Sequence, residues 1–66
     1  MEIKEILKNE RKKHTLTQQQ VADFLHMARG AYAQYETGKN TPTVEALKRL
    51  ADLYKCSVDY LIGRYQ

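Results

Sequence analysis

Little in this chain can form a covalent or metal cross-link. Cys56 is the only cysteine among 66 residues. No intramolecular disulfide can form, and metal patterns that need two cysteines are excluded. His14 and His26 have no ligand-spaced partners, so neither a metal site nor a cofactor is expected. An unpaired thiol suits a reducing compartment, and the cytoplasm is the expected location. Proline occurs once, at Pro42, so little interrupts a helical bundle. No apolar run approaches the ~20 residues that span a bilayer. The opening Met1-Glu2-Ile3-Lys4-Glu5-Ile6-Leu7-Lys8 reads as a charged helix rather than a signal peptide.

A chain of this length buries only about 60% of its unfolded surface, which leaves little room for an enclosed active site. One domain covering residues 1–66 is expected. No carboxylate pair faces an evident pocket, and Thr17 and Ser57 read as helix caps rather than nucleophiles, so no enzyme is expected. What is present is a 42% hydrophobic fraction and a net charge of +3, with a pI near 9.1. That modest basic bias fits a nucleic-acid partner without demanding one.

The pattern predicts an all-α, compact five-helix bundle; nothing alternates with period two long enough for a strand. Helix 1 is expected over about Glu2 to Lys13, with Ile3, Ile6 and Leu7 inward. Thr17 opens helix 2 with a capping box to Gln20. Val21, Phe24 and Leu25 are its expected inward stripe, and small Ala22 lets another helix approach. His26-Met27-Ala28 makes a turn, with Met27 inward. Helix 3 covers about Arg29 to Glu36, with Tyr32 and Tyr35 inward. Gly38 suits a left-handed position after a helix, and Pro42 marks where the next can begin. Thr43 caps helix 4, whose core side is expected to be Val44, Leu47, Leu50, Ala51 and Tyr54. Ser57 caps helix 5, with Val58, Leu61 and Ile62 apolar, and Gly63 ends it. Cys56 is expected to be a buried, inert thiol.

Two short helices joined by a tight turn over residues 17–36 are how a helix-turn-helix is written. Arg29, Gly30, Ala33 and Gln34 share one face of helix 3, away from Tyr32 and Tyr35. Two small residues allow close approach and two long ones can reach. Arg can pair bidentately with guanine and Gln with adenine, so these four are the candidate base-reading residues. Thr37, Lys39, Asn40 and Thr41 suit phosphate contacts, although the same residues would make an ordinary soluble loop. Gln18 and Gln19, at the start of helix 2, are further candidates. A reader this small covers one half-site, so a homodimer on a palindromic double-stranded site is expected. Tyr60, Ile62 and Tyr65 are its candidate interface.

Together these features resemble the Cro/CI-type helix-turn-helix regulators, the Xre family. The matching pieces are Leu16-Thr17-Gln18 with Val21-Ala22, Tyr35-Glu36-x-Gly38-Lys39, Pro42-Thr43-Val44-Glu45-x-Leu47, and Ser57 through Arg64. The resemblance implies a lambda-repressor-like fold with helix 3 in the major groove. It implies a structural ion pair between Arg11 and Glu36. It also implies that Gln18 contacts phosphate and braces the recognition helix. A transcriptional regulator, most simply a repressor, follows; the alternative is a protein-interaction module or antitoxin. Two positions depart from the family pattern: His26 stands where Gly is usual, and Ala28 where Ser or Thr caps helix 3.

Overall fold

The computed structural model describes residues 2–64. They form five helices and no strand: α1 (Ile3–Lys13), α2 (Gln18–Phe24), α3 (Arg29–Thr37), α4 (Val44–Tyr54) and α5 (Val58–Leu61). Helix α3 packs against both α2 and α1, and α5 packs against α4 and α1. No helix among the described residues is long and apolar enough to cross a membrane.

Local chemistry starts most of these helices. The Thr17 hydroxyl accepts the Gln20 amide at 3.1 Å, and the Gln20 side chain accepts the Thr17 amide at 2.8 Å. Thr43 and Ser57 cap α4 and α5 in the same way, accepting the Ala46 and Tyr60 amides at 3.1 and 3.0 Å. Each such oxygen satisfies a backbone donor that the first helical turn leaves free. Helix α3 is the exception, because Ala28 offers no side-chain oxygen.

Four of the five helix ends follow one rule. Thr15, His26 and Lys55 take left-handed φ values of 54°, 59° and 55°, and Gly63 takes 80°. In each case the next amide reaches back five residues: Leu16 to Arg11, Met27 to Ala22, Cys56 to Ala51 and Arg64 to Asp59. These are Schellman closures, which fold orphan carbonyls back onto the chain. Only His26 and Gly63 were expected at such ends. Thr15 and Lys55 carry no glycine signal, but Leu16, Met27 and Cys56, the residues that follow three of the turns, all pack on the core. That contact holds a left-handed residue that costs non-glycine side chains about 1 kcal/mol or more.

Ile6, Leu7, Val21, Ala22, Tyr32, Leu47, Leu50, Ala51, Tyr54 and Leu61 form the core. Two residues expected to face the core are exposed instead. Phe24 is 41% exposed and Val44 68%. Phe24 is the last residue of the seven-residue α2, and Ala22 takes the inner position where α3 approaches. Val44 is the first residue of α4, ahead of the turn that meets the core, and Ala46 is buried instead. Ile3, Leu25, Met27, Tyr35, Val58 and Ile62 are half-buried against the core rather than within it, and Cys56 is likewise half-buried. Burial and the Glu10 charge push the Cys56 thiol up, which keeps it protonated.

Glu10 is 5% exposed, and its carboxylate accepts the Tyr60 hydroxyl at 3.1 Å. This buried acid ties α5 to α1, with Lys13 Nζ at 3.9 Å and His14 Nδ1 at 4.0 Å beside it.

The uncapped start of α3 gives a direct test. Ala28 is exposed and already in the extended conformation of a cap residue, with φ −70° and ψ 148°. Ala28→Ser should raise unfolding stability by about 0.5–2 kcal/mol, read as a higher urea midpoint at unchanged slope.

Candidate nucleic-acid interface

A chain of polar contacts runs from α1 to the first residue of α3. Arg11 on α1 grips Glu36 with both sides of its guanidinium, Nε to Oε2 at 2.7 Å and Nη2 to Oε1 at 3.1 Å. Its remaining Nη1 donates to the Leu16 carbonyl at 2.9 Å, which fastens the α1–α2 connection. Gln18 Nε2 donates to Glu36 Oε1 at 3.1 Å. Arg29 Nη1 donates to Gln18 Oε1, also at 3.1 Å. The orientation of the Gln18 amide is chemically forced. A carboxylate can only accept and a guanidinium can only donate, so Nε2 must face Glu36 and Oε1 must face Arg29.

This network lies in a partly dry setting. The Arg11 and Glu36 side chains are 13% and 3% exposed. Burial pushes the Glu36 carboxyl up, but the hydrogen bonds from Arg11 and Gln18 and the Arg11 charge outweigh it, so its pKa falls below the ordinary 4.5. The Glu36 hydrogen bond raises the Arg11 pKa in turn. Tyr32 and Tyr54 are buried behind this pair, with the Tyr32 hydroxyl beside Glu36 and Tyr54. Burial drives the Tyr32 phenol far up and pushes Tyr54 up to about 12. The Tyr32 ring meets Tyr35 edge-on at 6.0 Å, which packs α3 from behind.

The outward face of α3 carries Arg29 and Gly30, both exposed, and Ala33 and Gln34, both half-buried. A Cβ on Gly30 would meet no atom within 4 Å. Internal packing therefore does not require glycine there, and the free space opens outward. At the other end of α3 the loop folds back. Thr37 Oγ1 and the Asn40 amide both donate to the Gln34 carbonyl at 3.2 Å. Asn40 Nδ2 also donates to the Gln34 side-chain Oε1. The Lys39 amide donates to Thr37 Oγ1 at 3.4 Å.

The expected site residues thus fall into three groups. Gln18 and Arg29 join the Arg11–Glu36 pair. Gln34, Thr37, Lys39 and Asn40 form a second cluster at the far end of α3, with Thr41 exposed beside it. Gln19 stands apart, donating to Asp23 at 2.8 Å along α2. Tyr60 and Ile62 lie on α5 and just after it, both half-buried, and Tyr65 falls outside the described residues. Lys4 was missed by the sequence reading. Gly38 ends α3 at φ 83°, and a Cβ there would stand 2.8 Å from Lys4 Cδ. Helix α1 thus lays an aliphatic stem across the end of α3, a nonlocal contact with no local sequence signal. No group of His, Cys, Asp and Glu among the described residues could hold a metal.

Because the Glu36 pKa is lowered on folding, its contribution is complete above about pH 5 and is lost as pH falls below 4.5. Arg11→Met keeps the stem and removes the charge. It should cost roughly 3 kcal/mol at pH 7, since it strands a buried carboxylate. The gap between the variant and the unaltered protein should then narrow as pH falls, because the stranded Glu36, raised by burial, takes up a proton at higher pH than in the unaltered protein; urea titrations at stepped pH read it.

Comparison with known proteins places this arrangement. A family model described as helix-turn-helix matches residues 7–61. The cryptic phage CTXphi transcriptional repressor RstR of Vibrio cholerae is 43% identical over 65 residues, covering 98% of this chain and 58% of the repressor. The chain spans about half the length of the curated relatives it matches. A transcriptional regulator from Listeria innocua superposes with a TM-score of 0.92 at 34% identity, over 98% of this chain and 61% of that one. The P22 c2 repressor in complex with a synthetic operator superposes with a TM-score of 0.90 at 26% identity, over 98% of both chains.

Proposed function

The chain belongs to this helix-turn-helix family of phage and bacterial transcriptional regulators, and from that premise we propose that it binds double-stranded DNA sequence-specifically and represses transcription. It acts in the cytoplasm as a homodimer on a palindromic operator, with α3 of each copy in a major groove. Residues 1–66 serve as one DNA-binding domain. The observation that carries this reading is the relay that ends on Arg29. Glu36 fixes Gln18, and Gln18 fixes Arg29 at the exposed start of α3. A positioned guanidinium with free donors is what bidentate reading of guanine requires. The small residues Gly30 and Ala33 let the helix come close.

Two further facts support a DNA partner over a protein partner at this face. The exposed large hydrophobics among the described residues are Phe24 and Val44, and neither lies on α3. The P22 c2 repressor, which shares this fold, has been seen with an operator. Phosphate contacts are assigned to Gln18, Gln19, Thr37, Lys39 and Thr41 around the reading face. They position the helix without reading sequence. The dimer seam is assigned to the α5 end, at Tyr60 and Ile62, so that each copy reads one half-site.

Duplex binding across a salt series tests the proposal. Several phosphate contacts require affinity to fall steeply between low and moderate salt. No binding to mixed duplex DNA at low salt would overturn the reading. Arg29→Ala should weaken specific binding by about 1–3 kcal/mol and relax selection at one base pair. An equal loss on specific and random duplexes would reduce Arg29 to a phosphate contact.

A further inference from the structure

Arg29 and Gln34 are both restrained, but by different chemistry. The Gln18 amide that holds Arg29 is flanked by groups with one possible polarity. Gln34 is held instead by another amide. Asn40 contacts it twice: the Asn40 backbone N–H donates to the Gln34 carbonyl at 3.2 Å, and Asn40 Nδ2 donates to Gln34 Oε1. Thr37 Oγ1 takes a further place on the same Gln34 carbonyl. The loop after α3 is thereby tied to Gln34, one of the four candidate base-reading side chains on the outward face of α3.

The geometry points to Asn40 as a positioning residue that sets which bases Gln34 accepts, an inference that rests on the DNA-binding reading above. With Oε1 drawn back to Asn40, the face that Gln34 presents outward is its Nε2 donor. In the major groove that donor fits guanine, through N7 or O6, adenine, through N7, and thymine, through O4. Cytosine offers only its N4 donor there. The bidentate adenine pairing expected of a free glutamine needs Oε1 turned outward as well, and the hydrogen bond from Asn40 holds it back. Asn40 therefore acts through Gln34 rather than as one more phosphate contact, which is why it stands apart from the loop residues assigned that role.

Selection of bound sequences from random duplexes tests this with the full chain. Gln34→Ala first locates the base pair concerned, as the one position where selection relaxes. At that base the unaltered protein should favour guanine, adenine or thymine over cytosine by roughly three- to tenfold, the yield of one net hydrogen bond. In Asn40→Asp the carboxylate can only accept, so it draws Gln34 Nε2 inward and turns Oε1 outward. Preference should then move toward cytosine or adenine at that position alone, while the other positions keep theirs. Asn40→Ala should flatten the preference without inverting it. Asn40 is exposed, and matched thermal melts would confirm that the variants fold. The inference is overturned if Asn40→Asp lowers affinity evenly with no change in base preference, or if the unaltered protein selects cytosine there. Failure of the unaltered protein to bind any duplex would overturn the DNA-binding reading, and this inference with it.

Discussion

Three donors converge on the Glu36 carboxylate, two from Arg11 and one from Gln18, and much of the molecule is organised around that point. Glu36 lies near the end of α3, Arg11 near the end of α1, and Gln18 at the start of α2. A single buried charge thus joins three helices and one connecting loop, the last through the Leu16 carbonyl. A carboxylate in so dry a site would be expensive alone; it is tolerated because each oxygen is met by a charge-assisted or amide donor. The same contacts pass outward through Gln18 to Arg29. Stability and the aim of the proposed reading side chain therefore rest on one group.

That arrangement compensates for a weak helix. Helix α3 lacks a capping side chain at Ala28, carries Gly30 in its first turn, and follows His26 in a left-handed conformation. Each feature costs on the order of 1 kcal/mol. The order of α3 comes from behind, where Tyr32 is fully buried and meets Tyr35 edge-on. The same packing sets the Tyr32 hydroxyl beside the Glu36 carboxylate.

How far the sequence could be read depended on the distance over which each feature acts. The Thr17 capping box involves two residues three apart, and it formed as the pattern requires. Thr43 and Ser57 are equally local. Phe24 and Val44 misled because periodicity marks a face but not where the neighbouring helix stops. Both stand at helix termini, where the apolar stripe has run past its partner. Left-handed Thr15 and Lys55 escaped because the usual cue is glycine, whereas here the apolar residues after the turns supply the hold. The sequence also could not show that Lys4 crosses the end of α3, or that Asn40 turns back onto Gln34 through the loop between α3 and α4.

The amino-acid sequence by itself determined five helices, their caps, the turn between α2 and α3, and the split of residues 29–36 into an inward and an outward face. Those properties follow from hydrogen bonds and periodicities that act within a few residues. Tertiary structure alone decided how Arg29 and Gln34 are held. An amide has no preferred direction until something faces it, and the groups facing these two side chains come from α2 and from the loop after α3. The family resemblance anticipated that Arg11 would meet Glu36. Only the packed chain places Gln18 between that pair and Arg29, and Asn40 against Gln34.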